Sequence, residues 1–181
     1  MLIDRDGVLN ANRDDYVKTP DELEMIAGAA EAVARLNRAG HRVAVVTNQS
    51  CIGRGIIDRA MLERIHDRLR RHLAAAGARL DDILVCPDPP WDAGEWRKPR
   101  PGMLREAIRR FGAVPAETHM IGDALSDLEA AARLGCPRIL VRTGHGRATQ
   151  ARGLPEQVLP VAVHDDLGAA VDALLGERGR S

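Results

Sequence analysis

Four short stretches contain residues whose types and spacing can do chemistry: "DRDG" at 4–7, "TNQS" at 47–50, "RKP" at 97–99 and "GDALSD" at 122–127. If Asp4, Asp6 and Asp123 converge, their carboxylates repel one another unless a hard divalent cation sits among them. Mg²⁺ prefers such oxygen ligands together with water. Thr47, the amides of the glycine-containing loop that follows it, and Lys98 add donors and a positive charge, a set able to surround the oxygens of a phosphoryl group. The chemistry this implies acts on a phosphate ester. A carboxylate aimed at phosphorus, Asp4, can act as nucleophile and form an aspartyl phosphate, replacing one hard displacement by two easier ones. Asp6 can protonate the leaving oxygen and then take a proton from water. Gly7 permits the tight turn that places the pair.

These residues must be brought together by the elements around them. Short apolar runs, "MLI", "HRVAVVT", "DDILVC", "THMIG", "PRILVRT" and "LPVAVHD", alternate with amphipathic stretches. That alternation predicts parallel strands covered by helices. Helices are expected over "GAAEAVARLNRAG", "DRAMLERIHDRLRRHLAAAG", "PGMLREAIRRFG" and "LSDLEAAARLG", closed by Gly40, Gly77, Gly112 and Gly135. The tail "LLGERGRS" is expected to fray. The fold class is therefore α/β, a single doubly wound parallel sheet spanning residues 1–181 as one domain. Ligands of such sheets bind beyond the carboxyl ends of the strands. The chemically suggestive residues lie where predicted strands end, or in the loop opened by the third. Taken singly, Asp-x-Asp-Gly reads as a turn and Asp123 as a helix cap. Their joint order along one chain favours a site.

Composition narrows the partners. Twenty-six basic residues balance twenty-six acidic ones in 181, so no whole-chain field attracts nucleic acid or an anionic membrane. The run "ERIHDRLRRHL" reads as a solvated helix face. The six histidines are scattered without metal spacing, and none is needed for this chemistry. Aromatics are 2% of the chain, which leaves Leu, Val, Ile and Ala to fill the core. Three widely spaced cysteines fit reduced thiols. No apolar run approaches the ~20 residues of a membrane span, and the charge at Asp4 argues against a signal peptide. The expectation is a cytoplasmic monomer acting on a small molecule. A central strand of three residues also suggests that the natural chain begins slightly earlier.

"DRDG", "TNQS", "RKP" and "GDALSD" together resemble the four motifs of haloacid dehalogenase superfamily phosphatases, over nearly the whole chain. More narrowly, "LIDRDGVLN", "TNQSCIGRG" and "RKPRPGM" resemble the D-glycero-D-manno-heptose 1,7-bisphosphate 7-phosphatase branch, which also contains histidinol phosphatases. The resemblance implies an almost capless fold and removal of a phosphate from a sugar phosphate. It makes Asp4 the nucleophile, Asp6 the acid/base, and Thr47 and Lys98 the stabilisers of the phosphoryl group. Asp4, the main-chain carbonyl of Asp6, and Asp123 would bind Mg²⁺, with Asp127 supporting Lys98 or the metal's waters. Asn48, Gln49, Ser50 and Arg97 would contact the sugar phosphate. "VRTGHGR" is expected to end a strand near the substrate without making Arg142 or His145 principal candidates. Histidinol phosphatases and nucleic-acid 3'-phosphatases share parts of these motifs. "SCIGRG" and "RPGM" favour the heptose branch, and neutral charge argues against a polynucleotide. A phosphoacceptor signalling module would carry its acceptor Asp mid-chain, behind an N-terminal acidic cluster. That order is not found here.

The chain departs from the branch in "CPDPPWDAGEWRKPRPGM", 86–103. Many members carry a zinc loop there, Cys-x-His followed by Cys-x-Cys. In this chain Cys86 remains, Asp88 stands where His is expected, and Gly94 and Trp96 stand for the later cysteines. One thiolate cannot make a four-ligand site, so zinc is expected to be absent. Trp91 and Trp96, with the prolines, are expected to replace the metal by packing, with direct stacking on the substrate as the alternative. Cys51 stands where the branch usually has glycine and places a thiol beside the phosphate loop.

Overall fold

Strand β1 is only Leu2–Ile3, yet it is the hub of the sheet in the computed structural model, which describes residues 1–178. Leu2 is registered with Ala44 on one side and Met120 on the other, and Ile3 with Val45 and Ile121. Outward from it lie β2 (Ala44–Asn48), β3 (Asp82–Cys86), β4 (Met120–Gly122), β5 (Arg138–Val141) and β6 (Ala162–His164). The six strands are all parallel, in the order β3-β2-β1-β4-β5-β6. Each apolar run predicted as a strand contains one. The order reverses beside β1, so the carboxyl ends of β1, β2 and β4 open onto a common crevice.

Helices cover both faces, which is why the central strands are apolar on both sides. Along the chain they are α1 (Ala29–Arg38), α2 (Ser50–Gly53), α3 (Arg59–Ala75), α4 (Gly102–Phe111), α5 (Leu125–Ala132), α6 (Gly146–Ala151) and α7 (Leu167–Arg178). Ile3 packs with Val33 and Leu36 of α1, Ile65 and Leu69 of α3, and Val171 of α7. Leu2 faces the other way, toward Met103, Leu104 and Ala107 of α4 and Ala130 of α5. Successive strand residues point to opposite faces, so two residues suffice to anchor both halves of the core. Helix α3 starts where Asp58 accepts a hydrogen bond from the Met61 amide at 2.7 Å. Gly40, Gly77, Gly112 and Gly135 close their helices with φ between 56° and 82°.

Two expectations change. Helices α2, α6 and α7 were not expected: four and six residues are too short to show a period, and the twelve of α7 do not segregate apolar from polar residues at helical spacing. The tail does not fray where expected: α7 runs through "LLGER", with Leu174 and Leu175 packed against the core, while Gly179–Ser181 of that stretch lie outside the described residues. Among the described residues no helix is long and apolar enough to cross a membrane.

Leu2→Ala and Ile3→Ala should each destabilise the fold by about 2–5 kcal/mol, the usual result of truncating a fully buried side chain. Equilibrium denaturant unfolding checks this, and a loss under ~1 kcal/mol at either position would remove β1 from its central role.

Candidate active site

Lys98 is a buried charge with three partners at the floor of the crevice. Its ammonium lies 2.6 Å from Asp127 Oδ1 and 3.0 Å from Asp4 Oδ1, and donates to the Val46 carbonyl at 2.8 Å. Three partners match the three protons of an ammonium. The side chain is buried, and burial alone would lower its pKa, but Asp127 and Asp4 outweigh that and leave it raised. Asn48, at the end of β2, fixes the Lys98 backbone from both sides. Its Oδ1 accepts from the Lys98 amide at 3.1 Å and its Nδ2 donates to the Lys98 carbonyl at 3.0 Å.

Asp4 follows β1 directly, and Asp123 follows β4. Oxygens of Asp4, Asp123 and Asp127 all lie within 4.8 Å of one another. Burial pushes Asp4 up to about 7, against the pull of Lys98, and pushes Asp123 up to about 6, with the charge of Asp4 adding to it. Anionic oxygens crowded at a buried point form a donor set that suits a hard divalent cation. Asp127 turns its Oδ1 to Lys98 and accepts from the Ala124 amide through Oδ2 at 3.1 Å, so Asp4 and Asp123 remain the carboxylates open to a cation. Asp123 is itself oriented by Asn12 Nδ2 at 3.0 Å and the His145 amide at 2.7 Å. Gly7, with φ +80°, passes so close that a Cβ there would lie 2.0 Å from Asp123 Oδ2. The glycine expected for the turn is thus also required by the neighbouring carboxylate.

Asp6 sits in a second network. Arg5 Nη2 reaches both its oxygens, at 2.9 and 3.0 Å, while Asn10 Nδ2 donates to Oδ1 at 2.8 Å and Gln49 Nε2 to Oδ2 at 2.7 Å. Burial would raise this carboxyl, but Arg5 and the amide donors prevail and hold it below the ordinary range. Gln49 also donates to Thr47 Oγ1 at 2.9 Å and accepts from Arg5 at 3.0 Å. Behind Arg5 lies His66 of α3, its Nε2 3.4 Å from Arg5 Nη1. Burial, with Arg5 next, lowers His66 to about 3, so the ring is neutral and must accept from the guanidinium. His66 is fully buried inside the run expected to be a solvated helix face. Glu63, Asp67 and Arg70 of that run are exposed.

A cleft of about 360 Å³ opens above these groups, lined by Asp4, Asp6, Thr47, Asn48, Gln49, Ser50, Arg97, Lys98 and Asp123. Asp127 lies beneath it, behind Lys98. Every residue expected at the site is therefore in or against one cleft. Asn48 and Gln49 direct their amide groups at Lys98 and Asp6, and Ser50 Oγ meets the Tyr16 hydroxyl at 3.3 Å. Of "VRTGHGR", His145 lines the cleft, whereas Arg142 turns outward to Asp165 and Gln150.

The loop after β3 corrects one expectation. Trp91 is 69% exposed and Trp96 36%, so they do not replace a metal by forming a core. Hydrogen bonds hold the loop instead: Asp88 Oδ2 accepts from the Gly94 amide at 3.0 Å, and Arg97 Nη1 donates to the Asp88 carbonyl at 2.7 Å. Two of the three positions that depart from the zinc pattern, Asp88 and Gly94, thus bond to each other. Cys86 is buried and burial pushes its thiol up to about 11. Cys51 is likewise buried inside α2, and burial raises its pKa, which leaves a poor nucleophile beside the phosphate loop. Sequence reading missed Arg5, Asn10, Asn12 and His66. Arg5 had a signal, a cation between two carboxylates in "DRD", and Asn10 acts locally on Asp6 four residues away, but Asn12 and His66 act across the fold.

A family profile described as "HAD-hyrolase-like" matches residues 95–170. The D-glycero-beta-D-manno-heptose-1,7-bisphosphate 7-phosphatase of Pseudomonas aeruginosa is 46% identical over 175 residues, 97% of each chain. The protein of that description from Bordetella bronchiseptica is 45% identical over 178 residues, 98% of each. The crystal structure of D,D-heptose 1,7-bisphosphate phosphatase from B. bronchiseptica, complexed with magnesium and phosphate, superposes with a TM-score of 0.93 at 45% identity, covering 98% of both chains.

Gly7→Ala should cost more than about 2 kcal/mol, because a left-handed backbone conformation and the approach of Asp123 both oppose the methyl group. An unchanged urea midpoint would show that neither constraint operates.

Proposed function

Because the chain belongs to the D-glycero-D-manno-heptose-1,7-bisphosphate 7-phosphatases, within the haloacid dehalogenase-like hydrolases, we propose that it removes the 7-phosphate of D-glycero-D-manno-heptose 1,7-bisphosphate, preferring the β anomer for which the P. aeruginosa and B. bronchiseptica relatives are named. The observation that carries the reading is Asp4 at the cleft floor, 3.0 Å from a lysine that Asp127 holds in place. A carboxylate next to a fixed ammonium can approach an anionic phosphoryl group that would otherwise repel it.

In the first step an oxygen of Asp4 attacks phosphorus at C7-O-P, the ester P–O bond breaks, and the sugar oxygen takes a proton from Asp6. In the second, water gives its proton to Asp6 and attacks the aspartyl phosphate. The P–O bond to Asp4 breaks and inorganic phosphate leaves. The conformation described holds Asp6 as a carboxylate, the form suited to accept the water proton. Donation to the sugar oxygen requires it to turn from Arg5 and carry a proton. Lys98 and Thr47 neutralise and orient the phosphoryl oxygens. Asn48 and Gln49 keep Lys98 and Asp6 in place and, with Ser50 and Arg97, line the path of the sugar phosphate. Magnesium, the cation of the B. bronchiseptica complex, would be held by Asp4, Asp123 and the main-chain carbonyl of Asp6. When bound it supplies positive charge to the transferring phosphoryl group. We read the chain as one cytoplasmic, monomeric domain acting on this small molecule, without nucleic-acid or membrane partners.

Phosphate release should be measured with Mg²⁺ on both heptose 1,7-bisphosphate anomers, histidinol phosphate and a 3'-phosphorylated oligonucleotide. The β bisphosphate should be turned over fastest, and Asp4→Asn should abolish release. Faster hydrolysis of either non-heptose ester would replace the substrate assignment, and ordinary turnover by the variant would refute the nucleophile.

The raised carboxyls also predict a pH dependence. A carboxyl whose folded pKa exceeds its unfolded value stabilises the fold below about pH 4, and that contribution is lost as pH rises through 6 to 7, here through Asp123 and Asp4. A bound cation offsets the loss. The rise in Tm on adding Mg²⁺ to chelator-treated protein should be larger at pH 7.5 than at pH 5, and an equal or smaller rise would contradict this account.

A further inference from the structure

Arg54 stands at the wall of the cleft with its guanidinium 4.6 Å from the centre of the Trp91 ring. The other cleft cations divide sharply. Arg5 pairs with Asp6, Arg13 with Asp15 and Glu22, and Lys98 with Asp4 and Asp127. Among the described residues, Arg54 and Arg97 line the cleft without a carboxylate partner. Arg97 is tethered to the Asp88 carbonyl. Arg54 has only the indole face. A cation at the mouth of a site, left without a counter-ion but held over an aromatic ring, is prepared for an anion that arrives with the ligand.

The stack is built into the backbone. Arg54 closes the short helix α2, donating its amide to the Ser50 carbonyl at 3.0 Å. The residue before it, Gly53, donates to the Pro87 carbonyl at 3.1 Å. A Cβ on Gly53 would lie 2.6 Å from that oxygen and 2.7 Å from Pro89 Cδ, so the two loops touch there because the side chain is missing. Pro89 then leads into the turn Pro90–Asp92, which presents Trp91 outward. The contact also accounts for an exposed tryptophan that the core does not use.

We propose that Trp91 is a positioning residue that holds Arg54 over the cleft mouth, where Arg54 binds the second, non-reacting phosphate of a bisphosphate substrate. The inference rests on the functional reading above. With the 7-phosphate at the buried floor beside Asp4 and Lys98, the 1-phosphate extends toward the open wall, and a planar guanidinium can grip two of its oxygens. The indole limits the orientations of a side chain that would otherwise be free in solvent, so less freedom is lost on binding.

The test compares kcat/KM for heptose 1,7-bisphosphate and for heptose 7-phosphate, which lacks the second phosphate. Wild type should prefer the bisphosphate. In Trp91→Ala the ratio of the two should fall roughly fivefold, with the change in KM and little in kcat, while Trp91→Phe should recover part of it. Arg54→Ala should reduce the ratio further, and Trp91→Ala in that background should add nothing. Unchanged ratios in both single variants, or equal losses on both substrates, would overturn the proposal even where wild type hydrolyses the bisphosphate well. A wild type that ignores both heptose phosphates would overturn it together with the functional reading, so the two failures are distinguishable.

Discussion

The site depends on one buried ammonium. Lys98 lies between Asp4 and Asp127 with its third proton on a β2 carbonyl, so removing any partner would leave a charge or a donor unmatched where water cannot replace it. The surroundings serve that arrangement. Asn48 fixes the lysine's backbone, Asp127 is set at the start of α5, and Asp4 is set by the strand before it. A carboxylate drawn toward a neighbouring ammonium is also one that can meet a phosphate dianion, so the interaction that holds the floor together is the one the chemistry would use.

Much of this was legible in the sequence, because strand ends and their loops are local features. The apolar runs located all six strands, and topology did the rest by bringing "DRDG", "TNQS", "RKP" and "GDALSD" to one crevice. What could not be read was long-range and short-period. His66 lies inside a charged run and gives no sign that α3 turns it toward Arg5, sixty-one residues away in the chain. Helices α2 and α6 are too short for periodicity to reveal them.

The loop after β3 departs from the branch's motif in its residues, and its means of support differs from the one those residues suggest. Packing by tryptophan was the natural expectation for aromatics in a proline-rich turn. The fold uses Asp88 and Gly94 in a direct hydrogen bond and leaves Trp91 at the surface. A substitution pattern that looks like loss of a metal site can thus contain its own replacement, visible only when two of the altered positions, Asp88 and Gly94, are seen to face each other.

The two-residue strand β1 has a consequence for how the protein fails under stress. Asp4 is one peptide bond from Ile3, which is buried against α1, α3 and α7 while Leu2 anchors the opposite core layer, so the proposed nucleophile cannot be displaced without opening the sheet itself. The loop with Trp91 lies outside that core and is held by a few part-buried hydrogen bonds, so it can open before the sheet does. On the proposed roles of Asp4 and of the Trp91 loop, hydrolytic capacity and discrimination among substrates therefore belong to units of different stability. As temperature rises, the enzyme should become less selective before it becomes inactive.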